Sequence, residues 1–147
     1  MTAEDIKKLR DMTGAGVMDV KRALEDAAGD MDKAKEILKE RGIAKADKKS
    51  DRATGSGMIF SYLHGDRVGI LLELRCETDF VAHTDDFKGL GHDIAMQIAA
   101  MDPESAEDLL TQSFIKDSGI TIENLIKGVI AKLGENIQVG RFCRYAI

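Results

Sequence analysis

Apolar residues recur at helical spacing in three segments at the start of the chain. Thr2 is placed to open the first helix with a capping box, and Gly14-Ala15-Gly16 breaks that helix. The second helix is predicted to end at Gly29, and the third to run from a cap at Asp30 to a stop at Gly42. The inward-facing residues are predicted to be Ile6, Leu9, Met12, Val17, Val20, Leu24, Ala27, Met31, Ala34, Ile37 and Leu38. Short helices that each have one apolar face predict a small three-helix bundle.

The apolar period then changes to two, which is typical of half-buried strands. Residues 58–64 and 67–76 are predicted strands, and Gly65-Asp66 between them favours a hairpin turn. A further strand is predicted over residues 137–145, with a bulge at Gly140. These segments predict an antiparallel sheet of three strands.

Two longer amphipathic helices separate the hairpin from the last strand. Thr84 is placed to cap the first, which stops at Asp102-Pro103, and a shorter helical piece follows from Ser105. Thr121 begins the second long helix and Gly134 ends it. Their inward faces are predicted to hold Phe87, Leu90, Ile94, Ile98 and Met101 in the first, and Ile122, Leu125, Ile126, Val129, Ile130 and Leu133 in the second.

The order of these elements predicts an α+β fold class, with a three-stranded antiparallel sheet packed on helices. The bundle is assigned to residues 1–43 and the core domain to residues 57–147. Residues 44–56 between them have no apolar period and are rich in charged side chains. This stretch is either a solvated charged linker or a charged continuation of the third helix.

Composition and charge narrow the class of protein. The chain is 44% hydrophobic and 32% charged, as expected of a folded protein. Its net charge of −5 opposes a general affinity for nucleic-acid phosphates. Two cysteines, Cys76 and Cys143, are too few for a disulfide framework or a zinc site of their own. No apolar run is long enough to span a membrane, so a cytoplasmic protein is expected.

Motifs for nucleotide binding and catalysis are missing from the sequence. Gly14-Ala15-Gly16 follows no predicted strand, so it does not form a phosphate-binding loop, and no nucleotide binding is expected. His64, His83 and His92 lack the spacing to further Cys or His residues that a metal site requires. No catalytic residue, metal or cofactor is therefore expected.

The most informative stretch is residues 76–82, where the second predicted strand ends at a polar corner. Thr78 and Asp79 can accept hydrogen bonds from free backbone N–H groups, which suits a turn or a helix start. Phe80 beside them has two alternative positions: it folds into the core, or it projects as an apolar wedge for a partner. Residue type alone favours the core, because most aromatic residues in globular proteins are buried.

Five segments of the chain are distinctive when taken together and in order. They are TGAGVMDVKRAL at 13–24, YLHGDRVG at 62–69, TDFVA at 78–82, IAMQIAA at 94–100 and GENI at 134–137. They resemble the elongation factor Ts family, whose members are guanine-nucleotide exchange factors for elongation factor Tu. The resemblance implies that the chain promotes GDP release from elongation factor Tu by disturbing its Mg²⁺ and phosphate site, and that it is not an enzyme. It also implies that the helical bundle is of the ubiquitin-associated-like kind.

The resemblance places the exchange function at the TDFVA corner. Phe80 would insert between elements of the partner's GTPase domain and displace the segment that holds Mg²⁺, while Asp79 would orient the corner and accept hydrogen bonds. The other partner-binding residues that the resemblance implies are Thr78, Val81, Val17, Met18, Lys21, His64, Leu133 and Gly134.

Only one core unit is present, without an internal repeat or a long heptad segment. Larger members of the resembled family have a core of two related halves and a coiled-coil insertion. The chain therefore resembles the short forms of the family, which pair as homodimers. A self-complementary two-fold interface is the simplest way to form such a pair.

Two other functions fit parts of the sequence. A binding adaptor would use the helical bundle and bind a partner without releasing nucleotide, but it leaves the TDFVA corner without a purpose. A small enzyme using Asp79 and His83 would turn over a substrate without elongation factor Tu, but no pocket-forming or oxyanion element is evident. The exchange-factor hypothesis is favoured because it accounts for the corner.

Overall fold

Three helices come first in the computed structural model, which describes all 147 residues. They are α1 (Ala3–Thr13), α2 (Val17–Asp26) and α3 (Met31–Asp47). The capping box at Thr2 is confirmed, and the side chain of Asp30 caps α3 by accepting from two backbone N–H groups. Their shared core consists of Leu9, Val20, Ala23, Leu24, Ala27, Ala34 and Leu38. Met12 and Val17 were predicted to face inward and are instead exposed, because each lies at a helix end outside this core.

The predicted stop of the third helix at Gly42 is wrong, because α3 continues to Asp47. A Cβ added at Gly42 would lie 3.3 Å from Cβ of Ala131, so this glycine allows α3 to approach the helix over Ile122–Leu133 closely. Ala46 is buried in the larger core, and Nζ of Lys127 lies 2.9 Å from the Asp47 carboxylate. The first part of residues 44–56 is therefore a helical continuation that contacts the rest of the protein. The division into residues 1–43, 44–56 and 57–147 stays a prediction.

The α+β class and the three-stranded antiparallel sheet are confirmed. The strands are β1 (Ser56–His64), β2 (Val68–Cys76) and β5 (Ile137–Ala146), in the order β1-β2-β5. Gly65 and Asp66 both have positive φ, which is the conformation that a two-residue hairpin turn requires. The predicted bulge is present: Gly140 and Arg141 together lie opposite the single residue Glu73.

Helices cover one face of this sheet. They are α4 (Asp79–Ala82), α5 (Asp85–Met101), α6 (Ala106–Thr111) and α7 (Ile122–Leu133). Thr84 and Thr121 cap α5 and α7 as predicted, and Gly134 ends α7 in the left-handed conformation. Met101 was predicted to face inward but is exposed, because it is the last residue of α5 and extends beyond the packed layer. None of the helices combines the length and the apolar composition that a membrane-spanning helix requires.

A second, two-stranded sheet was not predicted. It consists of β3 (Ser113–Phe114) and β4 (Asp117–Thr121), which are too short to show a clear alternation of apolar residues. The fully buried side chain of Gln97 on α5 holds this hairpin. Its Nε2 donates to the Ser113 carbonyl at 3.0 Å, and its Oε1 accepts from the Ile115 N–H at 2.9 Å. A side chain from a distant helix therefore supplies part of the stability that the short strands lack.

Candidate functional site

The polar corner follows directly on β2 and contains the one-turn helix α4. Thr78 is its N-cap, and its hydroxyl oxygen accepts from the Val81 N–H at 3.3 Å. Val81 and Ala82 are buried and attach the turn to the main core. Successive residues of a helix point about 100° apart, so the side chains of Asp79 and Phe80 are directed away from that core. Phe80 is 84% exposed, and the core alternative for this residue is excluded.

The corner is held by the partly buried Glu135, the second residue after α7. One carboxylate oxygen accepts from the backbone N–H groups of Glu77 and Thr78 at 3.1 and 3.0 Å, and the other accepts from the Thr78 hydroxyl at 2.6 Å. Glu77 reciprocates by accepting from the Asn136 N–H at 2.9 Å. Sequence reasoning did not assign Glu135 to the site, although the GENI segment contains it and lies next to the predicted end of α7.

Cys76 lies directly beneath the corner and is buried, as its place on the apolar face of the strand predicted. Burial raises the pKa of its thiol, and the nearby Glu135 carboxylate acts in the same direction. The protonated thiol donates to the Thr78 carbonyl, with Sγ 3.1 Å from the oxygen. This cysteine therefore supports the corner and is not a reactive thiolate.

The end of α7 and the loop between α1 and α2 lie against each other. An added Cβ at Gly14 would be only 2.8 Å from Cε of Lys132, so the loop packs on this lysine side chain. Nζ of Lys132 in turn lies 3.1 Å from the carboxylate of Asp86, in the first turn of α5. Leu133 is half-buried against the core, whereas Gly134 is exposed. The fold thus places residues 133 and 134 between the helical bundle and the corner.

The start of α2 presents the other predicted partner-binding residues of the bundle. Val17 and Met18 are 46% and 55% exposed, and Lys21 one turn later is also exposed. They follow the loop that packs on Lys132 and are therefore brought near the end of α7. The corner, the end of α7 and the start of α2 form one region, although they are distant in sequence.

His64 is the predicted site residue that this region does not include. It pairs with Val68 at one end of β1, whereas Ser56 at the other end pairs with Cys76 beside the corner. Eight residues of extended strand separate the two ends by about 26 Å. His64 is exposed, and its Nδ1 lies 3.0 Å from the hydroxyl of Tyr62.

Asp79 and His83, the pair considered for an enzyme, are neighbours on the surface of the corner. Nδ1 of His83 lies 2.7 Å from the Asp79 carbonyl oxygen and 3.9 Å from its carboxylate. Both side chains are mainly exposed to solvent. An acid–base pair in open water lacks the enclosed environment in which such groups catalyse reactions, so the geometry does not support the enzyme alternative.

An exposed aromatic side chain on a turn that is held by several hydrogen bonds is typical of a protein that acts by binding another protein. Comparison with known proteins agrees. Residues 77–147 match the family model described as Elongation factor TS. Elongation factor Ts of Fervidobacterium nodosum is 44% identical over an alignment of 193 positions that covers all of this chain and 98% of that protein. The chain belongs to the elongation factor Ts family.

Two further relatives show how the lengths compare. Elongation factor Ts of Coprothermobacter proteolyticus is 42% identical, again over the whole of this chain and 98% of the relative. Elongation factor Ts of Aquifex aeolicus is 47% identical over 99% of this chain, which spans only 52% of that protein. The alignment with the Fervidobacterium protein is longer than the 147 residues of this chain, so that relative has additional residues without a counterpart here.

Proposed function

We propose that this protein is a guanine-nucleotide exchange factor that promotes GDP release from elongation factor Tu. Family membership supports the proposal, and one observation carries it. Phe80 is almost fully exposed on a turn that is attached to the core by the adjoining buried residues Val81 and Ala82. A large apolar side chain in water is unfavourable for the isolated protein, so its position is best explained by a partner that covers it.

The proposed mechanism requires binding and no covalent chemistry, so the protein is not an enzyme and needs no cofactor. Phe80 inserts into the GTPase domain of elongation factor Tu and displaces the segment that holds Mg²⁺, while Asp79 accepts hydrogen bonds from the partner. Burial of a Phe side chain contributes about 1.5–3 kcal/mol, which is enough to offset a small distortion of the partner. Because binding energies are linked, the exchange factor weakens nucleotide binding by the same factor by which nucleotide weakens the exchange factor.

The remaining contacts to elongation factor Tu come from the same region of the surface. Val17 and Met18 supply apolar contacts and Lys21 a charge at the start of α2. Leu133 and Gly134 supply the contacts at the end of α7. Translation elongation places the protein in the cytoplasm, away from membranes.

A homodimer is part of the proposal, and the uncovered face of the main sheet supports it. This outer sheet face carries Ile59, Leu63, Leu71, Cys143 and Tyr145, all of them exposed. The helices of the core lie on the opposite face. The outer sheet face of a second copy would therefore cover these apolar side chains and form a further apolar layer between the two sheets. The dimer would also present a second His64, which in one chain lies far from the corner.

The proposed function is tested by release of a fluorescent GDP from elongation factor Tu at fixed Mg²⁺. The unmodified protein is expected to accelerate release. Phe80→Ala is expected to reduce that acceleration at least about tenfold, in line with the burial energy of one Phe side chain. Ile115→Ala, which truncates an exposed apolar residue on the β3–β4 hairpin, is the matched control and is expected to behave as the unmodified protein.

Thermal unfolding of each variant separates the alternatives. Phe80→Ala is expected to unfold at the same temperature as the unmodified protein, because the ring contributes little to the core. A protein that binds elongation factor Tu without accelerating release would be the adaptor considered above, and the exchange proposal would be abandoned.

A further inference from the structure

The geometry points to Glu135 as a positioning residue for nucleotide exchange: its carboxylate fixes the corner that presents Phe80. This inference rests on the proposed function and adds a residue to it. Glu135 itself is partly buried behind the corner, so it acts through Phe80 and not by contact with the nucleotide.

The corner cannot hold its own conformation. Helix α4 has only four residues, too few for a stable isolated helix, because forming the first turn fixes several dihedral angles for a single hydrogen bond. Its orientation therefore depends on contacts with the rest of the protein. Val81 and Ala82 provide apolar contacts on the inner side, but apolar packing sets direction less sharply than hydrogen bonds do.

Glu135 supplies the directional contacts. Its carboxylate accepts three hydrogen bonds from two consecutive residues, Glu77 and Thr78, at 2.6–3.1 Å. The Thr78 hydroxyl donates to Glu135 and also accepts from the Val81 N–H, so Glu135 fixes the rotamer of the residue that caps α4. Phe80 lies two residues beyond this cap, so the direction of the Phe80 side chain depends on the conformation of Thr78.

Glu135 is in turn held firmly from the other side. Its neighbour Asn136 is buried, and Nδ2 of Asn136 donates to the carbonyl oxygens of Ser50 and Arg52 at 3.3 and 2.9 Å. Glu135 also follows directly on Leu133 and Gly134, the proposed contacts at the end of α7. One side chain therefore links two parts of the partner-binding region, so that docking at α7 and insertion of Phe80 are coupled in position.

The proposal predicts a change in the rate of release at saturation more than in affinity. Glu135→Ala leaves every partner-contacting side chain in place but frees the corner, and Phe80 then inserts in the required position only part of the time. The maximal rate of GDP release from elongation factor Tu is expected to fall about 10- to 100-fold, as is usual when a positioning contact is lost. The concentration of protein that gives half the maximal rate is expected to change less.

A double-mutant cycle shows whether Glu135 acts through Phe80. In the Phe80→Ala background, Glu135→Ala is expected to have a much smaller effect than in the unmodified protein, since of the two proposed contacts on α4 only Asp79 remains to be positioned. Glu123→Ala, which removes an exposed carboxylate from the start of α7, is the matched control and is expected to leave the maximal rate unchanged.

Two conservative variants keep the test decisive if Glu135→Ala does not fold. Glu135→Gln keeps the oxygen that accepts from the two backbone N–H groups, and its amide nitrogen can donate to the Thr78 hydroxyl oxygen in place of accepting from it, so it is expected to exchange at close to the unmodified rate. Glu135→Asp retains the charge but is one methylene shorter, so it is expected to be slowed about tenfold by the loss of position.

The outcomes separate this role from the proposed function. If the unmodified protein does not accelerate GDP release, the proposed function fails and the role of Glu135 with it. If the unmodified protein accelerates release and Phe80→Ala does not, the proposed function stands. The maximal rates of the Glu135 variants then decide whether Glu135 has the positioning role. Unchanged maximal rates for Glu135→Ala or for Glu135→Asp, or an equal loss with and without Phe80, would overturn the positioning role.

Discussion

Glu73 shows how a single carboxylate organises a local irregularity of the sheet. It lies opposite the bulge of β5 and accepts from the backbone N–H of Arg141 at 2.8 Å and from its guanidinium at 2.9 and 3.0 Å. These hydrogen bonds, together with the charge of Arg141, lower the pKa of Glu73 from 4.5 to about 2. The side chain therefore satisfies backbone and side-chain donors at the point where the ladder is interrupted.

The lowered pKa predicts a pH-dependent contribution to stability. The unfolded chain binds the proton at higher pH than the folded protein, so the contribution is complete above the ordinary pKa of 4.5 and is lost as pH falls through about 2. Arg141→Gln removes the cause, so the difference in unfolding free energy between it and the unmodified protein is expected to shrink below pH 4.5. Urea unfolding between about pH 6 and about pH 3 measures this difference.

Arg75→Gln serves as the control for that prediction. Arg75 contacts the same carboxylate through a single, longer distance of 3.4 Å, so its removal is expected to change the pH dependence much less. A difference between Arg141→Gln and the unmodified protein that stays constant over the whole pH range would show that Glu73 is not the titrating group.

At the scale of elements, the approach of α5 to the sheet depends on one glycine. An added Cβ at Gly91 would lie 2.2 Å from Cζ of Phe60 on β1, a distance that real atoms do not adopt. The Phe60 ring occupies the space above the glycine and also contacts Phe87, with ring centroids 6.0 Å apart. The space that a side chain at Gly91 would occupy is therefore filled by the Phe60 ring of β1.

Two alanine substitutions in α5 test this packing. Gly91→Ala is expected to destabilise the protein by about 1–3 kcal/mol, because the ring or the helix must move. Gly89→Ala, two residues earlier on the exposed side with nothing within 4 Å, is expected to stabilise it by about 0.5–1 kcal/mol through helix propensity. Thermal or urea unfolding compares the two, and equal effects would mean that Phe60 adapts freely.

At the scale of the whole molecule, two separate cores are joined by α3 and by contacts at the end of α7. The bundle has its own buried cluster, and the main cluster includes Ala46 near the end of α3. Gly42 and Gly14 let α3 and the α1–α2 loop approach α7, and Glu135 just after α7 holds the corner, so the end of α7 connects the bundle to the corner. The proposed binding region is thus a property of the packing of the two cores, and neither core contains all of it.

The proposed dimer makes a prediction at this scale. Leu71 lies on the middle strand of the outer sheet face and is half exposed, so Leu71→Arg is expected to dissociate the dimer without unfolding the chain. Sedimentation at about micromolar concentration distinguishes the two states. Ile115→Arg, which adds the same charge on the β3–β4 hairpin, is expected to leave the dimer intact. A monomeric unmodified protein would end the dimer proposal.

Most element boundaries and caps could be predicted because their causes are local. Thr2, Thr84 and Thr121 cap helices through hydrogen bonds to residues three positions ahead, and Gly65-Asp66 adopts the turn that its residue types favour. Gly42 misled the prediction because its local preference for a helix end was overcome by a tight contact with Ala131. The β3–β4 hairpin was missed because a buried glutamine from another helix holds it.

The sequence by itself determined the α+β class, the order of the elements and the identity of the corner residues, since these depend on spacing and on contacts between near neighbours. Only the tertiary structure decided that Phe80 is exposed, that Glu135 holds Thr78 across 57 positions of the chain, and that His64 lies apart from the corner. These outcomes depend on which distant residues share space after folding. The residue pattern of a single segment therefore cannot predict them.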